Sequence, residues 1–303
     1  MKVLVTGVHG QLGHDVMNEL AGRGHQGLGT DILPAEDQER GTLHGHAYAQ
    51  LDITDKEAVR AMIRSYQPDA VMHCAAWTNV DGAEDPANRE KVYAVNAAGT
   101  RYIAEATEEV GAKMLYLSTD YVFSGEGREP WDPDCKEYRP LNYYGATKLE
   151  GEKAVSSLVS RFFIVRIAWV FGINGSNFVR TMLRLGQTHD TLRVVNDQIG
   201  TPTFTYDLAR LLVDMIETEE YGYYHATNEG GYISWYEFAC EIFKKAGLSV
   251  NVIPVTTAEY GVSKASRPFN SRLSKEKLTR KGFKRLPTWS DALERYLKML
   301  SAV

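Results

Sequence analysis

Lys2-Val3-Leu4-Val5-Thr6-Gly7-Val8-His9-Gly10-Gln11-Leu12-Gly13 is the stretch that decides the fold. Its first five residues are a short β-rich run. Gly7, Gly10 and Gly13 follow at intervals of three, and Leu12, Val16 and Leu20 then recur every fourth residue, as on one face of a helix. In such a strand–turn–helix unit the glycines permit a tight turn, close backbone approach to a pyrophosphate, and close packing of helix on strand. The N–H groups opening the helix then face the phosphates. A chain with 26 glycines makes such spacings by accident, so the place of this one, at a first βα turn, is what gives it weight.

Reading outward, strand and helix signals alternate. Residues 27–32 and 47–53 read as strands, and 55–66 as a helix on which Val59, Met62, Ile63 and Tyr66 share a face. Residues 70–76 are continuously apolar, which suits a parallel strand covered on both sides. A long helix over 88–110, a strand over 113–117, a helix starting near Asn142 and a strand over 162–170 complete the alternation. The pattern predicts an α/β fold, a doubly wound parallel (Rossmann) sheet with its ligand at the C-terminal strand ends. Beyond Phe171 the rhythm loosens: helices are expected over 177–185, 205–217 and 234–246, and a last strand over 221–226. Ser234, Glu237 and Gly247 supply the cap and stop of the helix at 234–246. The expected division is a dinucleotide-binding part, 1–172 plus about 203–228, and a smaller α/β substrate-binding cap, about 173–202 plus 229–303.

Two carboxylates fit the adenosine end of a dinucleotide. Asp31 closes the second strand 18 residues after Gly13, where it can accept hydrogen bonds from both ribose hydroxyls and repel a 2′-phosphate. No Arg or Lys lies between Asp31 and Arg40, which leans toward NADH over NADPH. Asp52 suits an adenine amine contact, or a helix cap within Leu51–Asp55. The chemistry is expected at Tyr144 and Lys148, which share a helix face at a separation of four. An ammonium beside a phenol favours the phenolate, and the phenol can hand its proton to a carbonyl oxygen. Spacing alone decides nothing: with 17 tyrosines a chance match is expected, and Tyr260 with Lys264 is a second one. Context decides. Tyr144 follows a strand ending at Ser118 and Thr119, whose hydroxyl can bind the same oxygen, whereas Tyr260 has no such strand before it.

With these residues in place, the chain resembles the extended short-chain dehydrogenase/reductases and, within them, the dTDP-4-dehydrorhamnose reductase family, over essentially its whole length. The shared marks are the Gly-rich turn, Asn96 in the long helix and the Tyr144–Lys148 pair. More specific are Gly10–Gly13 (GQLG), Ala75–Asp81 (AAWTNVD), Ser118–Phe123 (STDYVF), Trp169–Gly172 (WVFG), Asp197–Thr203 (DQIGTPT) and Arg267–Ser271 (RPFNS). The resemblance implies that Gly7, Gly10, Gln11, Leu12 and Gly13 meet the cofactor phosphates, Asp31 the ribose, and Asp52 with Ile53 the adenine. It implies that Ala75, Ala76, Trp77 and Leu117 line the dinucleotide, joined by Tyr144 and Lys148 at the nicotinamide end. Thr119, Asp120, Trp169, Gln198 and Arg267 would meet the sugar nucleotide, Trp169 as a stacking wall and Arg267 as a diphosphate fork. Trp77 stands where many relatives have Tyr or His. Some relatives build a magnesium site from carboxylates at a dimer interface; Asp15 stands where those have Glu, which weighs against that metal while leaving magnesium and a homodimer open. The implied activity is NADH- or NADPH-dependent reduction of a 4-keto dTDP-sugar, giving dTDP-L-rhamnose. Another nucleotide-sugar reductase or epimerase is the nearest alternative. A non-catalytic dinucleotide-binding regulatory subunit, like the β subunit of methionine adenosyltransferase, is the alternative of a different kind.

Composition sets the outer limits. A formal net charge of −5 argues against nucleic acid as a partner, since phosphate backbones need clustered Lys and Arg. No apolar run approaches the ~18 residues of a membrane span, and no signal peptide is visible at the N-terminus. Three cysteines without CxxC spacing fit a reducing cytoplasm. His44-Gly45-His46 reads as a loop rather than a metal site, and Glu84-Asp85 as a helix start.

Overall fold

The computed structural model describes residues 1–34, 45–261 and 263–301. Its centre is a seven-stranded parallel sheet. The first half of the chain supplies β1 (Lys2–Thr6), α1 (Gln11–Gly22), β2 (Gln26–Asp31), β3 (Ala47–Gln50), α2 (Lys56–Tyr66) and β4 (Ala70–His73). Short helices α3 (Val80–Ala83) and α4 (Arg89–Tyr93) lead to α5 (Thr100–Glu109), β5 (Lys113–Thr119), α6 (Tyr143–Leu158) and β6 (Phe162–Ile167). The single helix expected over 88–110 is instead α4 and α5 joined by a π-helical turn, Ala94–Gly99. Such turns concentrate at functional sites, and this one carries Asn96.

The second half of the chain adds β7 (Val170–Phe171), α7 (Phe178–Gly186), β8 (Thr191–Val195), β9 (Ile199–Gly200), β10 (Thr203–Phe204), α8 (Thr205–Ile216) and β11 (Gly222–His225). The last part holds β12 (Ile233–Ser234), α9 (Trp235–Ala246), β13 (Asn251–Val255), α10 (Thr257–Tyr260), α11 (Glu276–Arg280) and α12 (Trp289–Ser301). The sheet order is β11-β6-β5-β4-β1-β2-β3, all pairs parallel. Strand alternation sends Val3 and Val5 of β1 to one face and Leu4 to the other. The first face packs on Val16 and Leu20 of α1 and Leu212 of α8; the second packs on Ile63 of α2, Ile103 of α5 and Val155 of α6. Each such side chain, fully buried, contributes ~1.5–3 kcal/mol.

A separate apolar cluster lies among α7, α9, α12 and the β7–β10 pair. Phe171 and Phe204 stack at 5.2 Å, with Phe238 and Tyr296 against Phe171. The expected capping box of α9 is present, Ser234 and Glu237 satisfying each other's backbone N–H. Asn142 caps α6 through Gly145 N at 2.8 Å and Asn177 caps α7 through Arg180 N at 3.0 Å. The α12 helix and the parallel β8–β13 pair are additions to the sequence reading.

Candidate active site

The strand ends β1, β2, β4 and β5 place the candidate residues along one edge of the sheet. At β1 the chain turns through Gly7, whose φ of +74° is a left-handed conformation open to glycine. A Cβ on Gly7 would lie 2.7 Å from Ala75 N, and one on Gly13 only 2.2 Å from Gly7 O. The turn is thus packed directly against the segment following β4. Gly10 is the N-cap of α1 and no side chain caps that helix, which leaves the amides of Gln11, Leu12 and Gly13 to an incoming anion. The arrangement fits a dinucleotide pyrophosphate.

Asp31 ends β2 beside this turn: its Oδ2 accepts from His9 N at 3.0 Å and its Oδ1 from Ile32 N at 2.8 Å. His9 Nδ1 lies 3.6 Å from the same carboxylate. Tyr48 donates to Asp31 O at 3.3 Å, and burial with the Asp31 charge pushes its phenol up to about 12. Ile53 is buried after β3, while exposed Asp52 folds back on Thr54, its Oδ1 accepting from Thr54 N and Oγ1. Asp55, not Asp52, caps α2.

The reactive residues meet where β5 faces α6. Thr119 ends β5, and Tyr144 and Lys148 lie on the first two turns of α6. Thr119 Oγ1 donates to Asp120 Oδ1 at 3.0 Å, and the Tyr144 ring stands edge-on to Tyr121, centroids 5.8 Å apart. Leu117 is buried two residues before Thr119. Burial raises the Tyr144 phenol well above its usual range, with the Asp120 charge and Tyr121 adding to the rise and a Thr119 hydrogen bond opposing it. The lowering expected from Lys148 is not found: burial sets the direction. The Lys148 ammonium rests over the Tyr116 ring, 4.1 Å from its centre, and burial brings it down to about 7. Burial likewise pushes Asp120 up to about 6, against the Ser271 and Thr119 hydroxyls; its Oδ2 is buried without a hydrogen-bond partner.

Asn96, which carried no assigned role in the sequence reading, ties these parts together. Its Oδ1 accepts from Trp77 N at 2.8 Å, and its Nδ2 donates to Trp77 O at 3.3 Å and to Thr147 Oγ1 at 3.1 Å. It therefore fixes the Ala75–Ala76–Trp77 segment to the helix that bears Tyr144 and Lys148. The only local signal was an amide inside an apolar run, where a buried polar group needs partners.

The residues expected to meet the sugar nucleotide are placed unevenly. Trp169 follows β6 in a left-handed conformation, φ +51°, and stacks on Trp235 at 3.7 Å. A Cβ on Gly200 would lie 2.9 Å from the Trp169 ring and 3.0 Å from Ser271. Arg267 reaches the Tyr121 hydroxyl at 3.3 Å, but its guanidinium is paired with Asp81 at 2.7 Å rather than free for a diphosphate. Gln198 spends its amide on Thr257 Oγ1 at 3.0 Å. The second Tyr–Lys pair is no helical pair: α10 ends at Tyr260, and Tyr260 and Lys264 are both exposed. Glu84 is not part of a helix start of its own; its Oε1 accepts from Tyr143 N at 2.7 Å, at the head of α6, while Asp85 caps the turn at Pro86–Asn88. His46 Nδ1 accepts from Gly27 N at 3.1 Å; His44 lies outside the described residues. Asp15 faces inward, accepting from Thr205 Oγ1 at 2.5 Å. Among the described residues no group of three His, Cys, Asp or Glu side chains gathers around a metal position, and no helix is long and apolar enough to cross a membrane.

Comparison with known proteins agrees with this geometry. The family model described as RmlD substrate binding domain matches residues 1–302. The chain is similar to dTDP-4-dehydrorhamnose reductase of Aggregatibacter actinomycetemcomitans, 37% identical over 289 residues, covering 91% of this chain and 92% of that one. A crystal structure of a dTDP-4-dehydrorhamnose reductase from Clostridium acetobutylicum ATCC 824 superposes with a TM-score of 0.90 at 40% identity, over 99% of this chain and 100% of that one. A second, from Bacillus anthracis str. Ames in complex with NADP, gives 0.87 at 39% identity, over 98% and 99%. The Gly-rich turn, the Thr119–Tyr144–Lys148 cluster and these full-length matches agree, and the chain belongs to the dTDP-4-dehydrorhamnose reductase family.

Proposed function

We propose that the protein reduces the 4-keto group of dTDP-4-dehydro-L-rhamnose to give dTDP-L-rhamnose for rhamnose-containing polysaccharide. The observation that carries this reading is the meeting of buried Thr119 with half-buried Tyr144 beside buried Lys148, on the same sheet edge as the open head of α1. A reduced nicotinamide, when bound, supplies the hydride to C4. Tyr144 then gives its hydroxyl proton to the O4 oxygen. Because burial keeps that phenol protonated, it is a ready donor in the resting protein. Thr119 orients the same oxygen, and Lys148 holds the ribose and, as an ammonium, stabilises the phenolate left on Tyr144 when the proton leaves. Asp120, with one buried oxygen unpaired, receives a sugar hydroxyl.

A purely regulatory, dinucleotide-binding role would not require these buried titratable groups, so catalysis is the better reading. We take residues 1–172 with about 203–228 as the cofactor part; its two sheet cores are distinct from the cluster around Phe238 and Tyr296, which Phe171 and Phe204 join at the boundary. The three free thiols, Cys74, Cys135 and Cys240, fit a cytoplasmic protein. The relative from Bacillus anthracis was solved with NADP. Here the Asp31 carboxylate beside the turn supports full use of NADH. Steady-state oxidation of NADH and NADPH, assayed against a panel of 4-keto nucleotide sugars, tests both points. Turnover of the dTDP-sugar with NADH at least as good a donor as NADPH is expected, and Asp31→Ala narrows the difference. Activity with NADPH alone would mean that Asp31 does not meet the ribose; no turnover of any 4-keto sugar would remove the reductase reading.

A further inference from the structure

Glu152 stands four residues beyond Lys148 and eight beyond Tyr144 on α6, so all three share one helix face. Its carboxylate forks onto Arg166 of β6, Oε1 to Nε at 2.8 Å and Oε2 to Nη2 at 2.7 Å. The two side chains are 1% and 0% exposed. The remaining guanidinium donors reach Pro133 O at 3.1 Å, the Tyr138 hydroxyl at 3.0 Å and His225 Nε2 at 3.5 Å. Its faces lie against the rings of Phe123, Tyr138 and Tyr223. A fully buried ion pair loses most of its Coulomb gain to desolvation, and well-packed apolar side chains of similar volume serve stability as well or better. Stability therefore does not explain the pair.

What the pair does supply is a fixed anion one helical turn from Lys148. The other titratable groups facing the lysine are Tyr116 of β5, His73 and Cys74 at the end of β4, and Tyr144 on its own helix. Burial keeps them uncharged: His73 is pushed down to about 3, Cys74 up to about 12, and both phenols well up. His225, against Arg166, is held neutral in the same way. Among these groups Glu152 alone carries negative charge.

We propose that Glu152, clamped by Arg166 one helical turn from Lys148, is a positioning residue for the ketone reduction, keeping the Lys148 side chain an ammonium. The proposal rests on the reductase reading above through the role of Lys148. Burial alone drives Lys148 toward the neutral amine, and the Glu152 charge acts against that fall. Removing the anion therefore lets Lys148 lose its proton at lower pH, and the alkaline limb of activity moves down.

The test compares full-length Glu152→Gln, Glu152→Asp and the double variant Glu152→Gln/Arg166→Met with wild type. Two profiles against pH are measured: steady-state NADH oxidation and NADH binding by fluorescence titration. The double variant removes the stranded guanidinium, so it reports even where the single Gln variant fails to fold. Expected is an alkaline limb displaced by about one pH unit or more toward acid in the Gln variants, in both profiles, with rates at the acid end within a few-fold of wild type. Glu152→Asp keeps most of the wild-type limb. Limbs that coincide with wild type in a folded Gln variant overturn the proposal, as does an Asp variant displaced as far as Gln. If wild type binds NADH but reduces no 4-keto sugar, the reductase reading fails, while the binding profile still decides the role of Glu152.

Discussion

Asp120 keeps its carboxylate where water cannot reach one of its oxygens, and its chemistry follows from that. The carboxyl is pushed up to about 6 in the folded protein, against ~3.9 for an unperturbed aspartate. Below about pH 4 it is neutral in both folded and unfolded chains. Between these values the unfolded chain gives up its proton first, and above 6 the folded protein carries the full cost of a buried anion. Wild-type stability contributed by this group is thus present at low pH and lost as pH rises through 6, about 3 kcal/mol in all. Asp120→Asn removes that loss. Thermal unfolding should show the variant gaining on wild type between pH 4 and pH 7.5, although its turnover falls. A difference that does not vary with pH would mean the carboxylate is solvated. The positions of Thr119 at a strand end and of Tyr144 and Lys148 on the helix that follows were legible in the sequence because each sits at a fixed place in a strand–helix unit. Their electrostatics were not. The sequence pairs Lys148 with Tyr144, but burial sets the state of both groups, and burial is a property of the finished packing.

At the level of elements, the turn between β1 and α1 has the least freedom. A methyl on Gly13 meets Gly7 O and Val8 Cα, backbone atoms that cannot step aside, whereas a methyl on Gly22 meets nothing within 4 Å. Gly13→Ala should therefore destabilise by about 1–3 kcal/mol and weaken NADH binding about tenfold or more, as strand and helix are pushed apart. Gly22→Ala should be neutral or stabilise by up to about 1 kcal/mol, with NADH affinity unchanged. Chemical denaturation and NADH titration of the two variants read both effects; equal behaviour would mean the turn is not the tight cradle described. Helix ends marked by Asn142, Asn177 and Ser234 were readable because a cap is a local hydrogen bond. The π-helical turn at Ala94–Gly99 was not, because its one extra residue is stabilised by partners of Asn96 far away in the chain, Trp77 and Thr147.

Over the whole molecule, the alternation of strands and helices was enough to read the parallel sheet. The cap was harder to read. Its β8–β13 pair joins Thr191 to Asn251, and α12 packs on Phe204 and Phe171 through Tyr296, contacts that no local periodicity encodes. The same part of the chain reaches the cofactor turn: Asn174 donates to His9 O at 2.8 Å and Asn177 to Gln11 Oε1 at 3.0 Å. This closeness brings Trp169, Ser271 and Arg267 to the edge where Thr119 and Tyr144 stand. Gln198 and Arg267, expected at the substrate, hold Thr257 and Asp81 as partners within the protein. The proposed reduction requires that chemistry occur at Tyr144 on α6 and not at the equally spaced Tyr260 and Lys264. Tyr144→Phe and Tyr260→Phe, assayed side by side for NADH oxidation by the dTDP-4-keto sugar at saturating cofactor, test it most directly. Expected is a loss of roughly 10²–10⁴-fold in the first, with NADH affinity little changed, and turnover within a few-fold of wild type in the second. Near-normal turnover by Tyr144→Phe, or collapse in Tyr260→Phe alone, would contradict it.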